Sequence, residues 1–123
     1  MFSANDYGIG WALRHLREAE IDLREAEASR LWGPLCVSAM RHAQSALYHA
    51  LGDRELLERI VRGASEADVD GGDPLLRYLI RVERLIESCS SDGGGDRGSR
   101  LREARLVVDS ASRVGRLLSG GFD

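Results

Sequence analysis

The stretch that decides the fold is Ala39-Met40-Arg41-His42-Ala43-Gln44-Ser45-Ala46-Leu47-Tyr48-His49-Ala50-Leu51. Read as a helix of about 3.6 residues per turn, it places four small side chains on one narrow face, namely Ala39, Ala43, Ala46 and Ala50. A second stripe runs beside this face and consists of Ser38, His42, Ser45 and His49. Because alanine is small, another helix can approach closely, and we expect both imidazoles to lie at the edge of that contact.

Helical periodicity continues on both sides of this stretch, and no segment alternates in polarity as a strand does. A first helix is predicted from about Asp6 to Leu31. Its apolar residues recur at the spacing of a bundle seam, at Ala12, Leu16, Ala19, Leu23 and Ala26. Trp32-Gly33-Pro34 is predicted to break the chain before a second helix over 34–51.

Three further helices are predicted. Asp53 is a candidate N-cap for a short third helix, and Asp73-Pro74 reads as N-cap and first position of a fourth that continues to about Ser88. Residues 90–98 read as a flexible linker, Ser99 as the cap of a fifth helix, and residues 120–123 as a tail. The expected architecture is one domain over residues 1–123, an all-α, antiparallel up-and-down bundle of four long helices and one short one.

Composition narrows the classes of function. No apolar run approaches the length of a membrane span, and the first residues lack a basic and an apolar signal region, so we expect a cytoplasmic protein. Residues 1–73 hold 8 arginines against 13 acidic residues, and residues 74–123 hold 9 against 7. This asymmetry is too weak for a dedicated binder of duplex DNA. All 17 basic residues are arginine, which is compatible with a thermophilic protein and equally with GC-rich codon usage.

The fourth predicted helix is apolar over more than half of its circumference. Its apolar and aromatic residues are Leu75, Leu76, Tyr78, Leu79, Ile80, Val82, Leu85, Ile86 and Cys89. A helix that packs only inside its own bundle needs a narrower stripe, so the width predicts a homodimer.

The two histidines of the second helix are the first candidates for chemistry. His42 and His49 are separated by about 10.5 Å of helical rise, which is too far for both to bind one metal ion. We therefore expect no metal site and no cofactor. Glu83 is the one carboxylate predicted to face inward and could complete a polar site. Each imidazole either hydrogen-bonds to a serine, a backbone carbonyl or Glu83 at a helix contact, or contacts a nucleotide or RNA; the sequence leaves both interpretations open.

The arginines and cysteines allow two interpretations each. Arg81 belongs to an arginine-rich outer face of the fourth helix, which is either a solvated surface or a surface for phosphate groups. Cys36 and Cys89 are either two free thiols or a disulfide. Pairing requires the start of the second helix and the end of the fourth to lie at one end of the bundle, which happens if the third helix is a short crossing segment.

The first two helices resemble the HEPN family of small helical nucleotide-binding domains. The resemblance rests on Arg17-Glu18-Ala19-Glu20-Ile21-Asp22-Leu23 and, after Gly33-Pro34, on residues 43–51, and covers roughly residues 12–52. It implies an up-and-down bundle that is commonly dimeric. It also implies a partner of a minimal nucleotidyltransferase in a toxin–antitoxin-like pair, a nucleotide-binding module or a metal-independent RNase. In this chain Arg41 and His49 have seven residues between them, wider than the spacing of four to six residues in the family's RNases.

The sequence thus predicts a non-catalytic module that binds a nucleotide or RNA, or docks onto a nucleotidyltransferase. The candidate ligand-binding residues are Arg41, His42, Ser45, His49, Arg81 and Glu83, with Glu83 orienting an imidazole and an arginine near phosphate. The alternatives are an RNase that uses a histidine as general acid or base, and a purely structural homodimer.

Overall fold

The structure, a computed structural model, describes residues 3–67, 73–92 and 95–118, with side chains described at 8–67, 73–91 and 95–118. Over these ranges the chain is all-helical, with five helices and no strand. The helices are α1 (Ser3–Ala28), α2 (Trp32–Leu51), α3 (Arg54–Glu66), α4 (Pro74–Asp92) and α5 (Arg97–Leu118). The predicted all-α class is confirmed.

The core is built on the contact between α1 and α2, which is the most extensive of the helix pairs. Every residue of the predicted α1 seam is buried, and so are Ala39, Ala43 and Ala46 of the alanine face of α2. Small side chains on both helices allow close approach, and α5 then covers the pair with Ala104, Val108 and Ala111. Close approach of α1 and α2 fixes where the polar edges of both helices meet.

The break between α1 and α2 lies earlier than predicted. It falls at Ser29–Leu31, where the Leu31 amide donates to Ser29 Oγ at 2.9 Å and the Leu31 carbonyl accepts from Leu35 N at 3.0 Å. Gly33 and Pro34 therefore belong to the first turn of α2 and do not terminate α1. Pro34 is tolerated there because amides in a first turn have no intrahelical acceptor.

Two of the three predicted N-caps are confirmed. Asp53 accepts from Leu56 N at 3.1 Å, and Asp73 accepts from Leu76 N at 3.0 Å. The assignment of Ser99 as the cap of α5 is wrong, because Asp96 Oδ2 accepts from Ser99 N at 3.0 Å and so caps a helix that begins two residues earlier.

The predicted linker over 90–98 is partly helical, since α4 continues to Asp92 and α5 begins at Arg97. Ser90 and Ser91 donate their hydroxyls to the carbonyls of Ile86 and Glu87, four residues earlier, which is compatible with continued helix. The middle of this linker at 93–94, the connection at 68–72 between α3 and α4, and the predicted tail at 120–123 lie outside the described residues.

Most of the wide apolar arc of α4 is covered within one chain, and Leu75 at its start is exposed. Leu79, Ile80, Val82 and Ile86 are buried, and Leu76, Tyr78 and Leu85 pack partly buried against the core. The helix contacts α2 and α3, and the Tyr78 hydroxyl bonds to Ser110 on α5. Neighbours from three helices account for the width that suggested a homodimer, so the arc does not itself require a second copy.

Candidate functional site

The polar edges of α1 and α2 meet in a shallow cleft of about 310 Å³. The alanine contact below holds the two helices together, so side chains adjacent to it line the opening. The lining residues are Trp11 and His15 from α1, Ser45 and His49 from α2, and Arg54 from the first turn of α3. Of the stripe predicted to edge the alanine contact, Ser45 and His49 open onto this groove, and Ser38 and His42 are not among its lining residues.

Aromatic rings are stacked along this cleft. The rings of Trp11 and His49 are stacked with centroids 6.0 Å apart and planes inclined by 21°. His15 and His49 are also stacked, at 5.4 Å and 16°. The Arg14 guanidinium, one turn further along α1, lies over a Trp11 ring at 4.9 Å from its centroid. Indole and imidazole rings in this arrangement, with cations beside them, suit contact with a flat conjugated ligand.

The third histidine, which the sequence interpretation overlooked, joins the other two. His15 Nδ1 lies 3.0 Å from His42 Nδ1, so one ring donates its proton to the unprotonated nitrogen of the other. His42 Nε2 lies 3.9 Å from Asp22 Oδ2, and the same carboxylate oxygen accepts from Ser38 Oγ at 2.6 Å. This Nδ1 contact requires at least one neutral imidazole.

Burial and neighbouring cations disfavour protonation of the cluster. The pKa of His15 is lowered by burial first and then by the charges of His42 and His49. The pKa of His49 is lowered by burial and then by the Arg54 guanidinium. Both rings are therefore held toward their neutral forms at neutral pH, in which one nitrogen donates and the other accepts a hydrogen bond.

Arg41 and Glu83, two further residues of the predicted site, form a separate network between α2 and α4. Buried Glu83 Oε1 accepts from Arg41 Nη1 at 3.0 Å and from Gln44 Nε2 at 2.6 Å. The expectation that Glu83 orients an imidazole is thus wrong, because its carboxylate serves a guanidinium and an amide. Arg81 lies on the exposed side of α4.

Hydrogen bonding in the Glu83 network shifts the pKa values of two carboxyl groups. Burial alone would raise the pKa of Glu83, but hydrogen bonds with Glu87, Gln44 and Arg41 outweigh burial and hold it below its usual value. The pKa of Glu87, one turn further along α4, is raised because it shares a hydrogen bond with Glu83. These contacts describe a structural clamp between two helices, and they lie apart from the histidine cleft.

The described residues contain no group of three or more histidine, cysteine or acidic side chains arranged to hold a metal ion. The three histidines meet ring against ring, and His15 and His42 meet nitrogen against nitrogen beside Asp22. These side chains can offer stacking, hydrogen bonding, electrostatic attraction and proton transfer.

Trp11, His15 and Arg54 belong to the cleft and were missed by the sequence interpretation. A signal was present for two of them, since Trp11 and His15 are four residues apart and directly precede the seam residues Ala12 and Leu16. They therefore share the edge of the α1 seam, as His42 and His49 share that of α2. Arg54 gives no comparable signal, because its position depends on the turn after Gly52.

Comparison with protein-family models, with curated proteins and with solved structures found no match to this chain. Among the described helices, none is both long enough and apolar enough to cross a membrane. The function therefore has to be argued from the cleft itself.

Proposed function

We propose that this chain is a non-catalytic helical module that binds a nucleotide or single-stranded RNA in the cleft between α1 and α2. The observation that supports this is the ring stack of Trp11, His49 and His15 beside the Arg54 guanidinium. Base stacking on aromatic rings is tolerant of sequence, and arginine suits the oxygens of a phosphate.

In this proposal a base stacks on the Trp11–His49 layer and Ser45 offers its hydroxyl to the base or the sugar. Arg54 is about two-fifths exposed and, within the described part of the chain, forms an ion pair with Glu58 on the same helix, 3.2 Å away. An exposed pair of this kind is worth little, so the guanidinium can turn to a phosphate at small cost. Of the residues predicted from sequence, Ser45 and His49 line this site and His42 supports it through His15. Arg41 and Glu83 hold α2 to α4, and Arg81 stays a predicted phosphate contact.

The experiment is a titration with a short single-stranded RNA, followed by Trp11 fluorescence in a Trp32→Phe background. Because the chain has two tryptophans, this change leaves Trp11 as the only reporter. We expect quenching at ~50 mM salt that weakens strongly by ~200 mM. Followed by anisotropy of labelled RNA, Trp11→Ala should weaken binding by about ten-fold, in line with the loss of one stacked base.

Arg54→Gln should also weaken binding, whereas Arg59→Gln, an exposed arginine on the same helix, is the matched control and should have little effect. Absence of binding at ~50 mM salt to RNA, ATP and GTP would refute the proposal. Equal losses of RNA affinity in Arg54→Gln and Arg59→Gln would mean that RNA is held by diffuse electrostatic attraction and not by a defined site.

A metal-independent RNase is the second candidate, and the contact between His15 and His42 favours it. Two imidazoles that share a proton beside Asp22 have the composition of a general acid and base pair. This candidate predicts RNA cleavage in the presence of EDTA that disappears in His15→Ala and His49→Ala. Binding without cleavage would support the non-catalytic module.

We further propose the up-and-down antiparallel arrangement that the HEPN resemblance implies. It is supported by contacts that run in opposite directions along paired helices, with Trp11 meeting His49 and Asp22 meeting Ser38. Between α2 and α4, Gln44 meets Glu83, and the start of α2 shares a cavity with the end of α4. In this arrangement α3 is a short crossing segment.

We also propose that the chain forms a homodimer and docks onto a nucleotidyltransferase in a toxin–antitoxin-like pair. In the same proposal the protein is cytoplasmic and adapted to heat. Since most of the apolar arc of α4 is covered within the chain, a dimer would use another surface, such as α5, where Leu106 and Leu117 are about two-thirds exposed. Light scattering at micromolar concentration would test the dimer. Co-purification with a co-expressed neighbouring nucleotidyltransferase would test the partner.

A further inference from the structure

A cavity at the other end of α2 from the histidine cleft is lined by both cysteines. Its volume is about 520 Å³, and it is formed where the start of α2 meets the end of α4 and the first turns of α5. The lining residues are Arg30, Trp32, Gly33, Pro34, Cys36, Val37, Cys89, Ser90 and Arg100. The proposed RNA-binding function makes no use of this cavity.

The two thiols differ in their access to solvent. Cys36 is buried, on the second turn of α2, whereas Cys89 is half-buried on the last turns of α4. Neither cysteine is in a disulfide, and both line this one cavity. Burial, and after it the charge of Cys89, raises the pKa of Cys36. A small molecule entering the cavity meets Cys89 first.

The cavity also selects by charge. Trp32, Pro34 and Val37 form an apolar wall, while Arg30 lies at the exposed rim and Arg100 lines the side of α5. Arg100 Nη1 contacts Glu103 Oε1 at 3.0 Å, and the same carboxylate oxygen lies 4.0 Å from Cys89 Sγ as its hydrogen-bond acceptor. Two guanidiniums beside an apolar wall suit a small organic molecule that carries carboxylates.

We propose that this cavity is a thiol–disulfide exchange site that takes a small anionic peptide disulfide, such as oxidised glutathione, and ends in a disulfide between Cys36 and Cys89. Cys89 is the attacking residue because it is the accessible one, and Cys36 is the resolving residue because it lies behind it in the same cavity. The resulting bond links the start of α2 to the end of α4.

The exchange proceeds in two steps through a mixed disulfide. Cys89 Sγ loses its proton to solvent by way of Glu103 and attacks one sulfur of the oxidised peptide. The peptide's S–S bond breaks, a mixed disulfide forms on Cys89, and one peptide thiolate leaves and takes up a proton. Cys36, on losing its own proton, attacks Cys89 Sγ and displaces the second peptide thiol. The protein loses two electrons and two protons, and the peptide disulfide gains them.

The test is intact-mass spectrometry of the folded, reduced chain during incubation with oxidised glutathione. Wild type should lose two hydrogens, and peptide mapping without reduction should join Cys36 to Cys89. The bond should raise the midpoint of thermal unfolding by roughly 5–10 °C, because it closes a long loop of the unfolded chain. Cys36→Ala should accumulate the glutathione adduct on Cys89, and Cys89→Ser should stay unmodified.

Charge selection is tested with Arg30→Gln at the exposed rim. This variant should react about ten-fold more slowly with oxidised glutathione at low salt and at an unchanged rate with the uncharged 2-hydroxyethyl disulfide. Equal modification of Cys36 and Cys89 in the single variants would overturn the proposal. So would a disulfide that joins two chains, or a wild-type protein that reacts only once it is unfolded.

Discussion

Gly8 lies against the carbonyl oxygen of His49, where the first turns of α1 meet the end of α2. A Cβ atom at this position would collide with that backbone oxygen, whereas a Cβ at Gly10, two residues along the same helix, would meet nothing within 4 Å. The absence of a side chain at Gly8 therefore allows the two helices to approach, and it helps to set the position of the His49 ring.

Gly8→Ala should lower the free energy of unfolding by about 1–3 kcal/mol, because backbone must shift to admit the methyl group. Gly10→Ala is the matched control and should raise it by up to about 1 kcal/mol through helix propensity. Urea denaturation of the two variants measures both effects. Equal effects of the two substitutions would contradict the close contact.

At Glu83 a single carboxylate accepts the hydrogen bonds that link α4 to α2. Glu83→Ala removes the acceptor for Gln44 Nε2 and Arg41 Nη1 and leaves a buried amide unpaired, so it should cost about 2 kcal/mol. Arg77→Gln, on the exposed side of the same helix, is the control and should change stability by no more than about 0.5 kcal/mol.

The Glu83 contribution also has a pH signature. Because the folded-state pKa of Glu83 is below its usual value of 4.5, its stabilisation is present above that pH and is lost as the pH falls through the lower folded value. The difference between wild type and Glu83→Ala in urea denaturation should therefore shrink in acid. A difference that stays constant into strong acid would contradict the ionised network.

At the scale of elements, helix ends follow side chains that satisfy exposed amides. Asp53, Asp73 and Asp96 each accept a hydrogen bond from the amide three residues later. For α5 the sequence offers two candidate caps, Asp96 and Ser99. Hydrogen bonds from the Ser99 amide and hydroxyl to Asp96 lower the pKa of that carboxylate. The carboxylate is the better acceptor near the positive end of a helix.

Asp96→Ala should therefore lower the midpoint of thermal unfolding more than Ser99→Ala does, since only the first removes the acceptor of the Ser99 amide. Asp53→Ala and Asp73→Ala, as reference caps, should each cost about 1 kcal/mol. Circular dichroism melts of the four variants give the comparison. A larger effect of Ser99→Ala than of Asp96→Ala would reinstate Ser99 as the cap.

At the scale of the whole molecule, all three histidines of the chain meet at one place between α1 and α2. Asp22 lies next to His42, Glu18 acts on His15, Glu58 acts on His49, and Arg54 acts on both of these last rings. Burial and the repulsion among cations outweigh the carboxylates for His15 and His49, whose pKa values are both lowered. Protonation of His15 or His49 therefore opposes the packing of α1 against α2.

Acidification from neutral pH should destabilise the fold through His15 and His49. A histidine with a folded-state pKa below its usual 6.5 binds fewer protons folded than unfolded, so the free energy of unfolding falls as the pH drops below 6.5. Thermal melts between about pH 7 and 5.5 should show this decline. His15→Phe keeps a ring in the stack without the charge and should weaken the decline. A flat profile in wild type over this interval would contradict it.

The sequence by itself determined the helices, the buried seam of α1, the alanine face of α2 and two of the three caps, because these depend on periodicity and on contacts within a few residues. It did not determine which side chains meet across helices. His15 joins His42 and His49, Arg41 pairs with Glu83, and the two cysteines share a cavity because of the register between helices far apart in the chain. That register is set by the close contact of small residues such as Gly8 and Ala43. The alanine spacing indicates that a helix packs closely against α2, but no local pattern encodes which residues of that helix it meets, so only the tertiary structure could decide the register.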